Sequence, residues 1–212
     1  MNDRETDRLL VDRIQQGDKQ AFGILVVKYQ RRLARVVAAI IRDPTETEEV
    51  VQEAFIRAYR ALSGFRNDSA FYTWLYRIGV NTAKNWIASN HARLSKTISV
   101  DEDEGDYDDI VEQCSDTETP EKLLMSKQVV ETVNAAVAEL PEEMRTAVTL
   151  REIDGLSYEE IAGVMNSPVG TVRSRIFRAR EAIAAKLRSF GYANAAGRGY
   201  AVMVKFGDGG GR

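Results

Sequence analysis

Thr171, Arg173, Ser174, Arg175, Phe177 and Arg178 lie close together late in the chain, and their side chains suit a DNA groove. Arginine can fork onto guanine, a serine or threonine hydroxyl can bond a base edge, and an apolar ring can touch a thymine methyl. Flanking arginines suit phosphates, which position a helix without specifying sequence. At about 100° per residue, Ile176, Ala179 and Ile183 fall within roughly 40° of Val172, so these four residues predict a core stripe. The opposite side carries Ser174, Phe177, Arg178 and Glu181, with Thr171 beside them and Arg173 and Arg175 on the flanks. Residues 169–190 hold six bases and one acid. A solvated face explains the charge but not Phe177 opposite the core. The competing reading is a basic solvated helix with Phe177 packed on a neighbour.

A second constellation occupies residues 65–86, which hold six of the seventeen aromatics: Phe65, Phe71, Tyr72, Trp74, Tyr76 and Trp86. Arg66, Arg77 and Lys84 are interleaved, and Asn81 and Asn85 supply amide forks. Aromatic faces with bases are what single-stranded nucleic acid requires, because bases stack and phosphates need neutralising. A loop such as Ser63–Ala70, which includes Asn67, could hold an unstacked base and read its edge. Phe71, Leu75 and Ile78 are the expected buried stripe, with Tyr72 and Tyr76 on another face and Trp74 at the stripe's edge. The competing reading is an ordinary aromatic core.

The elements that must position these groups are helical throughout. Phe22, Leu25, Val26, Tyr29, Leu33, Val36, Val37 and Ile40 recur at helical spacing, and Gly17-Asp18 breaks and recaps the chain before them. Asp43-Pro44-Thr45-Glu46 reads as a helix start, with Asp as cap, Pro in the first turn and Glu at the capping-box position. That helix carries Val50, Val51, Ala54, Phe55, Ala58 and Tyr59 on one face. Another is expected from about Phe71 to Ile87. After Thr119-Pro120, a helix bearing Val129, Val130, Val133, Ala136, Val137 and Leu140 ends before Pro141, and a further one spans Glu142 to about Ile153. Ser157-Tyr158-Glu159-Glu160 is a second capping box, opening a short helix to Met165. Asn166-Ser167-Pro168 then leads into a long helix from Val169 to about Leu187, a helix-turn-helix pattern.

Charge divides the 212-residue chain in the same way. The net charge is −3, yet residues 99–121 hold eleven acids and no Lys or Arg, leaving 29 bases against 21 acids, or +8, elsewhere. The stretch 92–119 therefore reads as an acidic linker extended by self-repulsion, either a plain tether or a segment that mimics nucleic acid. Residues 189–212, with seven of the fifteen glycines, read as a disordered or weakly extended tail. One cysteine, Cys114, and one histidine, His91, leave no intramolecular disulfide and too few ligands for a Cys/His zinc site. They also speak against a His-based triad. No apolar run approaches the roughly 18 residues of a membrane span, and the charged start MNDRETDRLL is unlike a signal peptide. Phosphate-binding glycine patterns are absent. No cofactor, metal site or enzymatic activity is expected, and the expected location is cytoplasmic.

Three stretches carry a resemblance: ETEEVVQEAFIRAYRAL, FRNDSAFYTWLYRIGVNTAKNW and LREIDGLSYEEIAGVMNSPVGTVRSRIFRAREAI. They resemble the extracytoplasmic-function sigma factors of bacterial RNA polymerase, of the envelope-stress sigma-E/AlgU type, within the sigma-70 family. The likeness runs from about residue 8 to 188 and lapses in the linker. It implies an all-α chain of two small helical domains, a σ2 bundle over 1–91 and a σ4 helix-turn-helix domain over 120–188. It implies that the segment around Glu46–Tyr59 docks on the β′ clamp of core polymerase, with Glu49, Gln52, Glu53 and Arg57 as candidates, and that the β flap is a second contact. It implies that Phe65, Arg66, Asn67, Trp74, Asn81, Lys84 and Asn85 line or approach the −10 strand. The helix Val169–Leu187 would enter the −35 groove through Thr171, Arg173, Ser174, Arg175, Phe177 and Arg178. The acidic linker would thread toward the polymerase active-site channel, and a membrane-anchored anti-sigma factor would hold the protein. A stand-alone helix-turn-helix regulator of duplex DNA is the competing function; it leaves the aromatic cluster without a role. An enzyme acting on nucleic acid lacks a metal cluster or a Cys/His nucleophile pair.

Overall fold

The computed structural model describes residues 3–94 and 120–190. Every regular element among them is a helix: α1 Asp3–Gln15, α2 Lys19–Ala38, α3 Pro44–Ala61, a 3-10 turn Leu62–Gly64, α4 Phe71–Leu94, α5 Pro120–Ala138, α6 Glu142–Glu152, α7 Tyr158–Met165 and α8 Val169–Ser189. This is the all-α architecture that the periodicity predicts. Contacts divide the chain into two compact units, Met1–Asp101 with Ser157–Val172, and Glu102–Leu156 with Arg173–Arg212. By contact, α7 groups with α4 in the first of these units. The acidic segment and the glycine-rich tail lie outside the described residues. No helix among the described residues is long and apolar enough to cross a membrane.

Local chemistry fixes the helix starts. The Asp18 carboxylate accepts from the Gln20 and Ala21 N–H groups and opens α2, while Arg13 binds its other oxygen at 2.6 Å. The Arg13 guanidinium holds this carboxyl below its usual range. Asp43 accepts from Glu46 N–H at 2.7 Å with Pro44 in the first turn, as read from the sequence. The Glu46 carboxylate takes Asn90 of α4 at 3.2 Å, which ties α3 to α4. Ser157 and Glu160 form the reciprocal capping box of α7. Its far end closes at Asn166, whose left-handed backbone (φ 49°) Asn tolerates better than a branched residue does.

The first unit packs α2 through Leu25, Tyr29, Leu33, Val36 and Val37, all fully or nearly fully buried. Helix α1 is the element that periodicity did not single out. Its Asp7 is 2% exposed and receives the Tyr29 hydroxyl at 2.5 Å and Lys28 at 2.6 Å, so a buried charge is paired and hydrogen-bonded. Burial and the Asp7 carboxylate together push the Tyr29 phenol well above its usual range. Helix α4 crosses α2 so closely at Gly79 that a Cβ there would stand 2.6 Å from Leu33 Cδ1. It also runs seven residues past the expected end, to Leu94.

The second unit is built on Val129, Val133, Ala136, Leu140, Val148, Ala179, Ile183 and Leu187, with Met144 and Ile153 packed at its edge. Buried Arg145 donates to the carbonyls of Ala138 (2.9 Å) and Leu140 (3.3 Å). It thereby satisfies groups that the end of α5 leaves without intrahelical partners.

Candidate nucleic-acid interface

On α8 the division of faces read from the sequence holds. Val172, Ile176, Ala179 and Ile183 are at most 2% exposed, while Phe177 is 65% exposed. Arg173, Ser174 and Arg178 are exposed with it, and Thr171 is half-buried. Phe177 therefore packs on no neighbour that covers it. Arg175 behaves differently: its guanidinium pairs with Glu143 at the start of α6, and its side chain is only 17% exposed. Two more carboxylates act alike, Glu152 on Arg180 and Glu139 on Lys186 at 2.7 Å. Sequence reading missed these acids because their partners on α8 are 28 to 47 residues away.

The aromatic constellation proves to be partly core. Phe65 is 8% exposed, its ring 4.8 Å from Trp74 and 6.1 Å, edge-on, from Phe71. Its carbonyl and that of Leu62 both accept from Gln15 Nε2 at 2.9 Å, which pins the loop to α1. Phe65 thus anchors the loop and offers no open stacking face, unlike the sequence expectation. Trp74 remains half-buried beside it, Arg66 is exposed, and Asn67 takes a left-handed turn (φ 59°). Tyr76, expected to project, is 1% exposed. Tyr72 is half-buried, and its hydroxyl donates to Glu160 at 2.7 Å. Burial and this bond raise the Tyr72 phenol to about 12. Partial burial works to raise the Glu160 carboxyl, but hydrogen bonds from Ser157 N–H and Tyr72 outweigh it and hold the group below its ordinary value. Along α4, Arg77, Asn81 and Asn85 are exposed four residues apart, with Lys84 half-buried beside them, so this polar stripe shares one face.

Helix α3 exposes Glu49 and Gln52, and Glu53 and Arg57 form an i,i+4 pair at 2.7 Å. Ile56 (45%) and Tyr59 (40%) are exposed in the same run. Tyr59 was expected on the buried face. It stands at the rim, its ring 4.9 Å from Phe22. Tyr59 was read as core because a helix-spaced apolar residue reads so unless its cover is known, and Ile56 lay outside the expected stripe.

Residues 25–93 match the model "Sigma-70 region 2" and residues 131–183 match "Sigma-70, region 4". The chain thus belongs to the sigma-70 family. It is 51% identical over 184 residues to the RNA polymerase sigma-H factor of Pseudomonas aeruginosa, covering 85% of this chain and 93% of that protein. It is 50% identical over 188 residues to the ECF RNA polymerase sigma-E factor of Escherichia coli K12, covering 89% and 97%. Within the family it is an extracytoplasmic-function sigma factor. Among solved structures, CnrH in complex with the cytosolic domain of CnrY is similar, with a TM-score of 0.59 and 27% identity over 87% of this chain and 98% of that one. The sigma factor RpoE of Bartonella quintana, solved with the anti-sigma factor NepR, has a TM-score of 0.61 and 18% identity over 79% and 96%, a likeness of fold.

Proposed function

We propose that this sigma factor binds core RNA polymerase and directs initiation at stress-response promoters, and that it is not an enzyme. The observation that carries the reading is Phe177, exposed on the basic face of α8 opposite a fully buried stripe. Arg173, Ser174, Phe177 and Arg178 would read the −35 major groove, with Thr171 at the entering end and Arg175 on a flanking phosphate. The Arg66–Asn67 loop, Trp74 and the stripe Asn81, Lys84 and Asn85 would hold the −10 strand after melting, while Phe65 supports the loop from within. Glu49, Gln52, Glu53 and Arg57 would ring the docking site for the β′ clamp, with Ile56 and Tyr59 as its apolar centre. A groove lined by Leu140, Met144, Ala182 and Ala185 in the second unit suits the β flap. The sequence division into a σ2 part, an acidic linker, a σ4 part and a tail belongs to the same reading. The same proposal makes it a cytoplasmic, nucleoid-associated protein regulated by a membrane-anchored anti-sigma factor, in keeping with CnrH, which was solved with the cytosolic domain of CnrY.

The test is a pull-down of core polymerase followed by run-off transcription. A sigma factor binds core enzyme and makes it initiate from its promoter, while binding promoter DNA poorly alone. A stand-alone regulator would bind the duplex alone and confer no initiation.

A further inference from the structure

The bases of α8 do not all face solvent on equal terms. Arg175 is folded back onto Glu143, the second residue of α6, with the arginine side chain 17% and the glutamate side chain 53% exposed. The carboxylate sits in the first turn of its helix, where the N-terminal dipole favours negative charge. The guanidinium is therefore satisfied before any DNA arrives, and its acceptor remains open to solvent. Its position on the flank, about 60° from the buried stripe, points it toward a groove wall rather than the groove floor. A phosphate oxygen and a carboxylate oxygen are equivalent acceptors for an arginine fork.

From these facts we infer that Glu143 is an affinity-setting competitor for DNA: it holds Arg175 in the free protein and surrenders it to a backbone phosphate on binding. The step is an exchange of acceptors with no covalent change. It rests on the reading of α8 as the −35 element. Because one ion pair is broken for each one made, Arg175 contributes less to attraction than its charge suggests. Phe177, exposed and uncharged, has no ion pair to give up, so a larger share of the net binding energy falls on the groups that read bases. Glu143 touches no base and acts only through Arg175, so it is a positioning residue.

The experiment is a double-mutant cycle in holoenzyme with Glu143→Gln, Arg175→Gln and the combined variant. Association with a duplex carrying the −35 element is measured from 50 to 200 mM salt, and thermal midpoints are recorded for each free chain. Glu143→Gln is expected to tighten binding about two- to five-fold, the range of a partly exposed ion pair. Arg175→Gln is expected to weaken binding and flatten the salt slope by up to about one unit. In the Arg175→Gln background, Glu143→Gln is expected to yield no gain. A gain that persists there would mean simple repulsion of DNA by the acid and overturns the exchange, as does an unchanged or weakened affinity in Glu143→Gln. An unchanged slope in Arg175→Gln also overturns it. A wild-type holoenzyme that binds matched and scrambled −35 duplexes equally would instead remove the −35 reading itself.

Discussion

The Tyr72 hydroxyl donates to one oxygen of Glu160 at 2.7 Å, and the other oxygen of the same carboxylate accepts the Ser157 N–H at 2.9 Å. One side chain thus closes the capping box of α7 and holds it to the first turn of α4. Tyr72→Phe keeps the ring and removes the bond. The expected cost is about 0.5–1.5 kcal/mol, with faster amide exchange in α7 than in α2. Unchanged exchange in 158–165 would show that the bond carries no weight.

The same contact sets an alkaline limit. The folded phenol of Tyr72 titrates near 12 against an ordinary value of 10, and Tyr29 is displaced in the same direction. Above about pH 10 the unfolded chain loses protons that the folded chain keeps, so it is the unfolded state that gains. The stability from the Tyr72 phenol is fully present below pH 10 and is lost as pH rises through 12, while that from Tyr29 continues to fall at still higher pH. Urea midpoints at pH 9, 10 and 11 should fall, less steeply in Tyr72→Phe than in the wild type. Parallel declines in the two proteins would count against the assignment.

Gly79→Ala should destabilise the first unit. The new Cβ would meet Leu33 Cδ1 at 2.6 Å, and Leu33 is itself fully buried, so relief requires moving packed atoms. Overpacking of this kind costs about 1–3 kcal/mol, read as a lower urea midpoint. A wild-type midpoint would mean that α2 and α4 yield without strain.

Adjacent residues of α8 should separate stability from recognition. Ile176→Ala removes a side chain that is 1% exposed and should cost about 2–5 kcal/mol of folding stability. Phe177→Ala, at a 65% exposed position, should leave the melting midpoint within about 2 °C. It should also lower −35 discrimination in holoenzyme by about 1–3 kcal/mol. Intact discrimination would remove Phe177 from the reading face.

Tyr59→Ala and Ile56→Ala should each weaken capture of core polymerase by more than about 1 kcal/mol, as apolar anchors within a charged rim do. Equilibrium binding of the labelled chain to core enzyme measures this. Wild-type affinity in both variants would move the docking site off α3.

Much of this was legible from single residues. The 100° rule located the buried stripe of α8 because a helix packed on one side shows one apolar face, and Val172 to Ile183 obey it. The rule failed on α4, where α2, α3 and α7 pack on several faces and Tyr76 is buried along with Leu75. It also gave no hint of α1, whose short buried face joins the paired Asp7 to Leu10 and Val11. Of the candidate site residues, Phe65 and Arg175 changed character because tertiary partners, Trp74 and Glu143, claimed them. No local pattern encodes such partners.

The turn at Asn166-Ser167-Pro168 sets the phase of the whole reading face. Asn166 N–H and Ser167 N–H (3.0 Å) both return to the Ala162 carbonyl, and Val172 N–H closes on Pro168 at 3.1 Å. Inserting or deleting one residue here would turn α8 by about 100° relative to the end of α7. Either Val172 and Ile176 would leave the core, or Phe177 would leave its place on the proposed reading face. Composition in this turn can drift among residues that tolerate its torsions, but its length cannot, because three residues act as the angular zero from which the proposed reading face is counted.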